Sequence, residues 1–188
     1  IDMKKKYLIT TGGSGGHVIP AIILYEHLSK EAEVTISIDK RGLKYTDKDL
    51  YPIEVIDTPR LNNIFLPLSL IKILFLIFKS LFLLKKNKIQ KIFSTGGYMS
   101  LPLILAAKLI NLDIYLIEPN LVLGRSNRYF LKSCKKIFCY TERIKNFPDH
   151  SEEKKIIIRP LVRKKIYDSV FNSEIRNKNK FSILIVGG

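Results

Sequence analysis

The chain has 188 residues and a net charge of +15, from 32 Lys and Arg against 17 Asp and Glu. Hydrophobic residues make up 46%, which excludes disorder by composition and allows one domain with a real core. The basic excess points to an anionic partner, a membrane surface or a phosphorylated substrate, over a background rich in Lys, Ile and Asn; with no RNA-recognition or zinc-finger pattern, nucleic acid is not expected.

Apolar runs alternate with helical patterns along the chain. Strands are predicted over 5–11, 33–38, 53–57, 90–94, 113–117, 136–140 and 156–159. Helices are predicted over 17–30, 66–86, 100–110 and 122–133. This alternation predicts an α/β fold, a parallel sheet with helices on both faces. Ligands of such sheets bind at the carboxyl ends of the strands. The chain opens on a charged stretch and a strand rather than a signal peptide, so a reducing, cytoplasmic setting is expected.

The first strand runs into Gly12-Gly13-Ser14-Gly15-Gly16-His17. Glycines at a strand-to-helix junction bare backbone N–H groups at a helix N-terminus, a seat for an anionic or polar ligand. His17 places a titratable group at that seat. No Lys-Ser or Lys-Thr follows the glycines, so this is not a nucleoside-triphosphate loop. Asp39, after the second strand, imitates the ribose-binding acid of a dinucleotide fold, but Val18 stands where the third glycine of that fingerprint belongs.

From Ile64 to Leu84 the chain is almost wholly apolar. Lys72 and Lys79 argue against a membrane span, since a charge at mid-bilayer is costly. Seven residues apart, they share one helix face, with Ser69 and Ser80 expected near the same stripe. Such a helix can dip an apolar side, Leu70, Ile73, Leu74, Phe75, Ile77 and Phe78, into a membrane interface. Lys85, Lys86, Lys88 and Lys91 follow, well placed for anionic head groups.

A second strand–glycine–helix junction is Ser94-Thr95-Gly96-Gly97-Tyr98, with Ser100 as the expected helix cap. Two such junctions in one sheet suggest two loops facing one ligand, a diphosphate. A later strand ends on Glu118-Pro119-Asn120, placed to bind ligand hydroxyl or amide groups, or to orient His17. Arg125 and Arg128 are candidate phosphate contacts. Cys134 and Cys139 have no nearby His and make no metal site. Arg159-Pro160-Leu161-Val162-Arg163 ends another strand, with Arg163 expected at the mouth of a cleft. A polar linker is expected over 164–180 and an apolar strand ending in two glycines over 181–188, where a second domain would begin.

The order GGSGGHVIPA, STGGYMSLP, IEPNLVLGRSNR, RPLVR and ILIVGG resembles the MurG family, glycosyltransferase family 28, over nearly the whole chain. Two departures stand out: Ile117 replaces a His, and Arg159-Pro160-Leu161 replaces Gly-Asn-Pro. The resemblance implies the N-terminal half of a GT-B enzyme built from two Rossmann-like domains, with residues 1–163 as the acceptor-binding domain. It implies transfer of N-acetylglucosamine from UDP-N-acetylglucosamine (UDP-GlcNAc) to lipid I, forming lipid II with inversion, with no cofactor or metal. The site would lie at the cytoplasmic face of the cell (inner) membrane, on a peripheral enzyme of peptidoglycan synthesis. By the same resemblance Ser14, Gly15, Gly16, Asn120 and Arg163 would contact UDP-GlcNAc. Gly12, Gly13, Thr95, Gly96, Gly97 and Tyr98 would face the lipid diphosphate. His17 would be the general base, with Glu118 as its rival or the group that orients it. Two alternatives stay open: a non-catalytic membrane-anchored half of a split glycosyltransferase, or a related transferase acting on another lipid acceptor.

Overall fold

A computed structural model of the chain describes residues 4–59, 66–163 and 166. Seven parallel strands form one sheet: β1 (Lys5–Thr10), β2 (Ala32–Ile38), β3 (Ile53–Val55), β4 (Lys91–Ser94), β5 (Asp113–Glu118), β6 (Lys136–Cys139) and β7 (Lys155–Ile157). Their order is β3-β2-β1-β4-β5-β6-β7. The chain winds outward from β1 to β3, then returns to β4 beside β1. That reversal is the topological switch point of a Rossmann-like sheet, where a crevice opens at the strands' carboxyl ends. The predicted strands match these seven to within two residues at each end.

The helices are α1 (Gly15–Leu28), α2 (Leu66–Lys86), α3 (Leu101–Leu109) and α4 (Arg125–Phe130). Alternation along each strand sends side chains to both faces. Leu8, Ile92, Leu116 and Ile137 pack on one face with residues of α2 and α3. Tyr7, Ile9 and Phe93 pack on the other with Ala21 of α1. There an aromatic row crosses four strands, Tyr7–Phe93–Tyr115–Phe138, with ring centroids 5.8, 5.1 and 6.1 Å apart. Neither cysteine is reactive in character. Both are buried, and loss of hydration pushes the Cys139 thiol up to about 12.

Three expectations change. The helix expected over 122–133 shrinks to α4 plus a tighter turn over Leu131–Ser133. Val122 pairs with Lys145, and the Leu123 N–H donates to the Lys145 carbonyl at 3.0 Å, so this stretch is extended. Ser100 does not cap α3. Its hydroxyl reaches back to the Gly96 carbonyl at 3.3 Å and closes the second glycine loop. The third change concerns α2. Ser69, Ile73, Leu76, Ser80, Leu83 and Leu84 are buried, at the i, i+4, i+7, i+11 spacing of one helix face. The serines therefore lie on the core side, not beside the lysines. Ile73 (6% exposed) and the half-buried Ile77 pack inward and are not membrane contacts.

The opposite face of α2 is apolar and bare. Leu68, Ile71, Phe75, Phe78 and Phe82 are each 64–70% exposed, with Leu70 and Leu74 beside them. Lys72, Lys79 and Lys86, spaced by seven, form one rim of that face. No helix among the described residues is long and apolar enough to cross a membrane. The linker expected over 164–180, apart from Ile166, and the strand expected over 181–188 lie outside the described residues.

The two sides of α2 carry different energetic weight. Leu84→Ala, at a residue 1% exposed, is expected to cost about 2–5 kcal/mol. Phe78→Ala is expected to change stability by no more than about 0.5 kcal/mol. Urea unfolding of the two variants checks this.

Candidate functional site

The register of β1 and β4 sets Thr10 beside Ser94, so the two glycine loops leave the sheet side by side. They are bonded to each other. The Thr95 N–H donates to the Thr10 carbonyl at 3.2 Å, and Thr95 Oγ1 donates to Thr11 Oγ1 at 2.8 Å.

Asp39 shapes the first loop from the end of β2. It is fully buried, and its Oδ1 accepts the Gly13 N–H at 2.7 Å and the Gly42 N–H at 3.0 Å. A Cβ on Gly12 would collide with that oxygen, and Gly13 adopts φ +82°. Only glycine lets the chain pass this closely in this conformation. This corrects the reading of Gly13 as a bare anion donor. The Gly13 N–H is committed to Asp39, and the Ser14 N–H to the Gly12 carbonyl at 3.1 Å. In the second loop the Gly96 N–H is committed to Ser94 Oγ at 3.2 Å. The donors left for a ligand include Gly15 and Gly16, whose N–H groups open α1 without an intrahelical acceptor.

His17 sits between the loops. Its Nδ1 lies 2.8 Å from the Thr95 carbonyl oxygen. A carbonyl only accepts, so in this contact Nδ1 carries the proton and donates. In the neutral imidazole Nε2 then holds a lone pair, the form that accepts a proton. The ring packs on the second loop: a Cβ on Gly96, at φ +95°, would lie 3.1 Å from His17 Cε1.

His17, Gly97, Glu118, Asn120 and Arg125 line one small cavity of about 120 Å³. The structure thus brings together His17, the second glycine loop and the Glu118–Asn120 corner, as expected. Glu118, however, is 1% exposed, and both of its oxygens are occupied. Oε1 accepts the Asn120 N–H at 3.2 Å and Asn120 Nδ2 at 2.9 Å. Oε2 accepts the Gly124 N–H at 2.7 Å and Asn127 Nδ2 at 3.0 Å. Four donors leave Glu118 unsuited to be a proton acceptor, and the Thr95 carbonyl, not Glu118, orients His17. Glu118 instead ties the loop after β5 to the start of α4.

Arg163 is not brought to this cavity. It lines a separate groove of about 820 Å³ with Glu26, Tyr45 and Tyr51, bounded by α1 and residues 43–51. Two residues beside the glycine loops and the His17 cavity escaped the sequence reading. Asn127 is buried and spends its amide N–H groups on Glu118 and on the Ile117 carbonyl, 3.0 Å away. Arg41 crosses from one glycine loop to the other. Its Nε donates to Asp39 Oδ2 at 2.9 Å, and its Nη2 to Tyr98 Oη at 3.3 Å and Met99 Sδ at 2.7 Å. The bond to the Asp39 carboxylate raises its pKa above the usual arginine value, so it is a permanent cation. A charge directly after a strand's carboxyl end was the signal available for Arg41; Asn127 had none.

Replacing Glu118 by Gln puts a donor NH2 where Gly124 and Asn127 already donate. Glu118→Gln is expected to destabilise the chain by about 1–3 kcal/mol. A lowered urea midpoint at unchanged slope checks it.

Residues 7–139 match the model of the glycosyltransferase family 28 N-terminal domain. The chain is 47% identical to the UDP-N-acetylglucosamine--N-acetylmuramyl-(pentapeptide) pyrophosphoryl-undecaprenol N-acetylglucosamine transferase of Pelagibacter ubique, over 99% of this chain and 52% of the relative. It is 36% identical to the enzyme of the same name from Rickettsia canadensis, over 98% of this chain and 52% of the relative. The chain therefore spans about half the length of these curated relatives. Among solved structures, Acinetobacter baumannii MurG superposes with a TM-score of 0.68 at 25% identity, over 90% of this chain and 50% of that one. A UDP-GlcNAc 2-epimerase from Methanocaldococcus jannaschii superposes with a TM-score of 0.60 at 16% identity, over 81% of this chain and 45% of that one, a likeness of fold alone.

Proposed function

Since the chain belongs to glycosyltransferase family 28 by its N-terminal domain, we propose that it is the acceptor-binding half of a transferase that moves N-acetylglucosamine from UDP-GlcNAc to lipid I. In this reading residues 1–163 are the acceptor domain, 164–180 a linker, and 181–188 the start of the domain that holds the sugar nucleotide. Most of the donor pocket then belongs to the part of the relatives that this chain does not cover, with Gly15, Gly16 and Asn120 reaching it from this side.

One observation carries the reading: the His17–Thr95 bond at the switch point, which leaves Nε2 as an acceptor in the cleft. The acceptor sugar's hydroxyl gives its proton to Nε2 as its oxygen attacks the anomeric carbon. The bond from that carbon to UDP breaks on the opposite face, and UDP leaves with the electron pair. The product is inverted at the anomeric carbon. Proton transfer of this kind contributes about 10²–10⁴-fold. In a chimera joining this chain to the C-terminal half of the Pelagibacter relative, His17→Ala is expected to lower kcat by that factor with little change in acceptor KM. An unchanged kcat removes His17 from the chemistry.

The bare face of α2 supports a peripheral seat on the cytoplasmic face of the inner membrane, where a lipid-linked acceptor is held. Phe75, Phe78 and Phe82 would enter the interface, and each rim lysine would add about 1 kcal/mol on an anionic surface. The chain is expected to sediment with anionic phospholipid vesicles and to stay in the supernatant when Phe75 and Phe78 are both changed to Glu. Equal sedimentation of the double variant removes α2 as the contact. Leu76 does not serve this test, because it lies in the core.

A further inference from the structure

We propose that Arg41 is a diphosphate-binding residue, the side-chain cation that the two glycine loops hold between them for the anionic link of a lipid acceptor. The inference deepens the acceptor-binding reading above and rests on it.

Geometry places the guanidinium at the loops. A Cβ on Gly13 would lie 4.0 Å from Nη2, and the same Nη2 reaches Tyr98, next to Gly97 of the second loop. The Nε–Asp39 bond aims the group, since the Asp39 carboxylate is itself locked by the Gly13 and Gly42 N–H groups. Arg41 is thus pre-oriented, and it is still 38% exposed along its side chain.

The partners of Nη2 are poor ones. Nη2 spends its hydrogens on a phenol oxygen and a thioether sulfur, and a thioether is a weak acceptor. Nη1 makes no hydrogen bond among the described residues. A phosphate oxygen is a far better acceptor for a guanidinium, and two phosphate oxygens match its fork. Beyond the Asp39 bond the guanidinium lies over the Tyr98 ring, 5.6 Å from its centroid, so the second loop also holds it in place. The N–H groups of Gly15 and Gly16 stay with the sugar nucleotide in the reading above, which leaves Arg41 as the cation of the acceptor side. A diphosphate brings more oxygens and more negative charge to that fork than a monophosphate.

The test is calorimetric binding of farnesyl diphosphate, farnesyl monophosphate, farnesol and inorganic diphosphate to the 188-residue chain. The diphosphate lipid is expected to bind about tenfold to a hundredfold more tightly than the monophosphate. Arg41→Gln is expected to abolish that preference while farnesol binding stays the same. Arg41→Lys is expected to restore part of it, since it keeps the charge without the fork. The preference ratio is the deciding readout, because a purely structural Arg41 would alter all affinities together. Arg41→Gln with the preference intact overturns the assignment to Arg41 and leaves the glycosyltransferase reading standing. Wild-type chain that binds farnesyl diphosphate no better than farnesol overturns both. Inorganic diphosphate binding as tightly as the farnesyl ester overturns the lipid-linked ligand. If Arg41→Gln fails to fold, judged by its thermal melt, the Lys variant decides: full preference retained in it overturns the need for the guanidinium fork.

Discussion

Asp39 stands at the carboxyl end of β2 with its carboxylate fully buried. A buried carboxylate is costly unless every lone pair is used, and here the partners are two glycine N–H groups and the Arg41 guanidinium. The first glycine loop follows from that demand. Gly12 has no room for a Cβ beside the carboxylate, and a Cβ on Gly42 would lie 2.7 Å from Ile38 Cγ1. Bending the loop onto Asp39 turns α1 so that His17 faces the second loop. It also fixes the direction of Arg41.

Glu118 does the same work at the end of β5. Its four donors all come from the ten residues that follow it. A Cβ on Gly124 would lie 3.1 Å from Oε2, so that glycine too is set by a carboxylate. The two acids resemble catalytic groups in a sequence, but each is consumed by its own loop. The group left with chemical freedom is His17, whose partner is a backbone carbonyl across the cleft. Preorganisation here comes from buried charges meeting backbone donors, on loops carried by rigid strand ends.

The long helix α2 divides its labour by face. One side packs into the core beside α3, and the other leaves three phenylalanines in water beside a row of lysines. An exposed apolar face of that extent is unusual for a free surface. It lies on an element separate from the glycine loops, so the bare apolar face and the glycine loops draw on different residues.

Periodicity and turn chemistry made most of the fold legible. Apolar runs of strand length alternating with helical patterns determine a parallel α/β sheet, because burial on both faces leaves no other arrangement. The glycine junctions and the His behind them were readable for the same local reason. What the sequence alone left open was which groups would spend their hydrogen bonds on each other. Asp39 with Gly13, His17 with Thr95 and Arg41 with Tyr98 lie 26, 78 and 57 residues apart. The inward turn of Ile73, Ser69 and Ser80 and the distance of Arg163 from His17 were hidden likewise. A side chain's type is local, but its free lone pairs, its exposure and its neighbours are set by the packing of distant strands, and only the tertiary structure decides those.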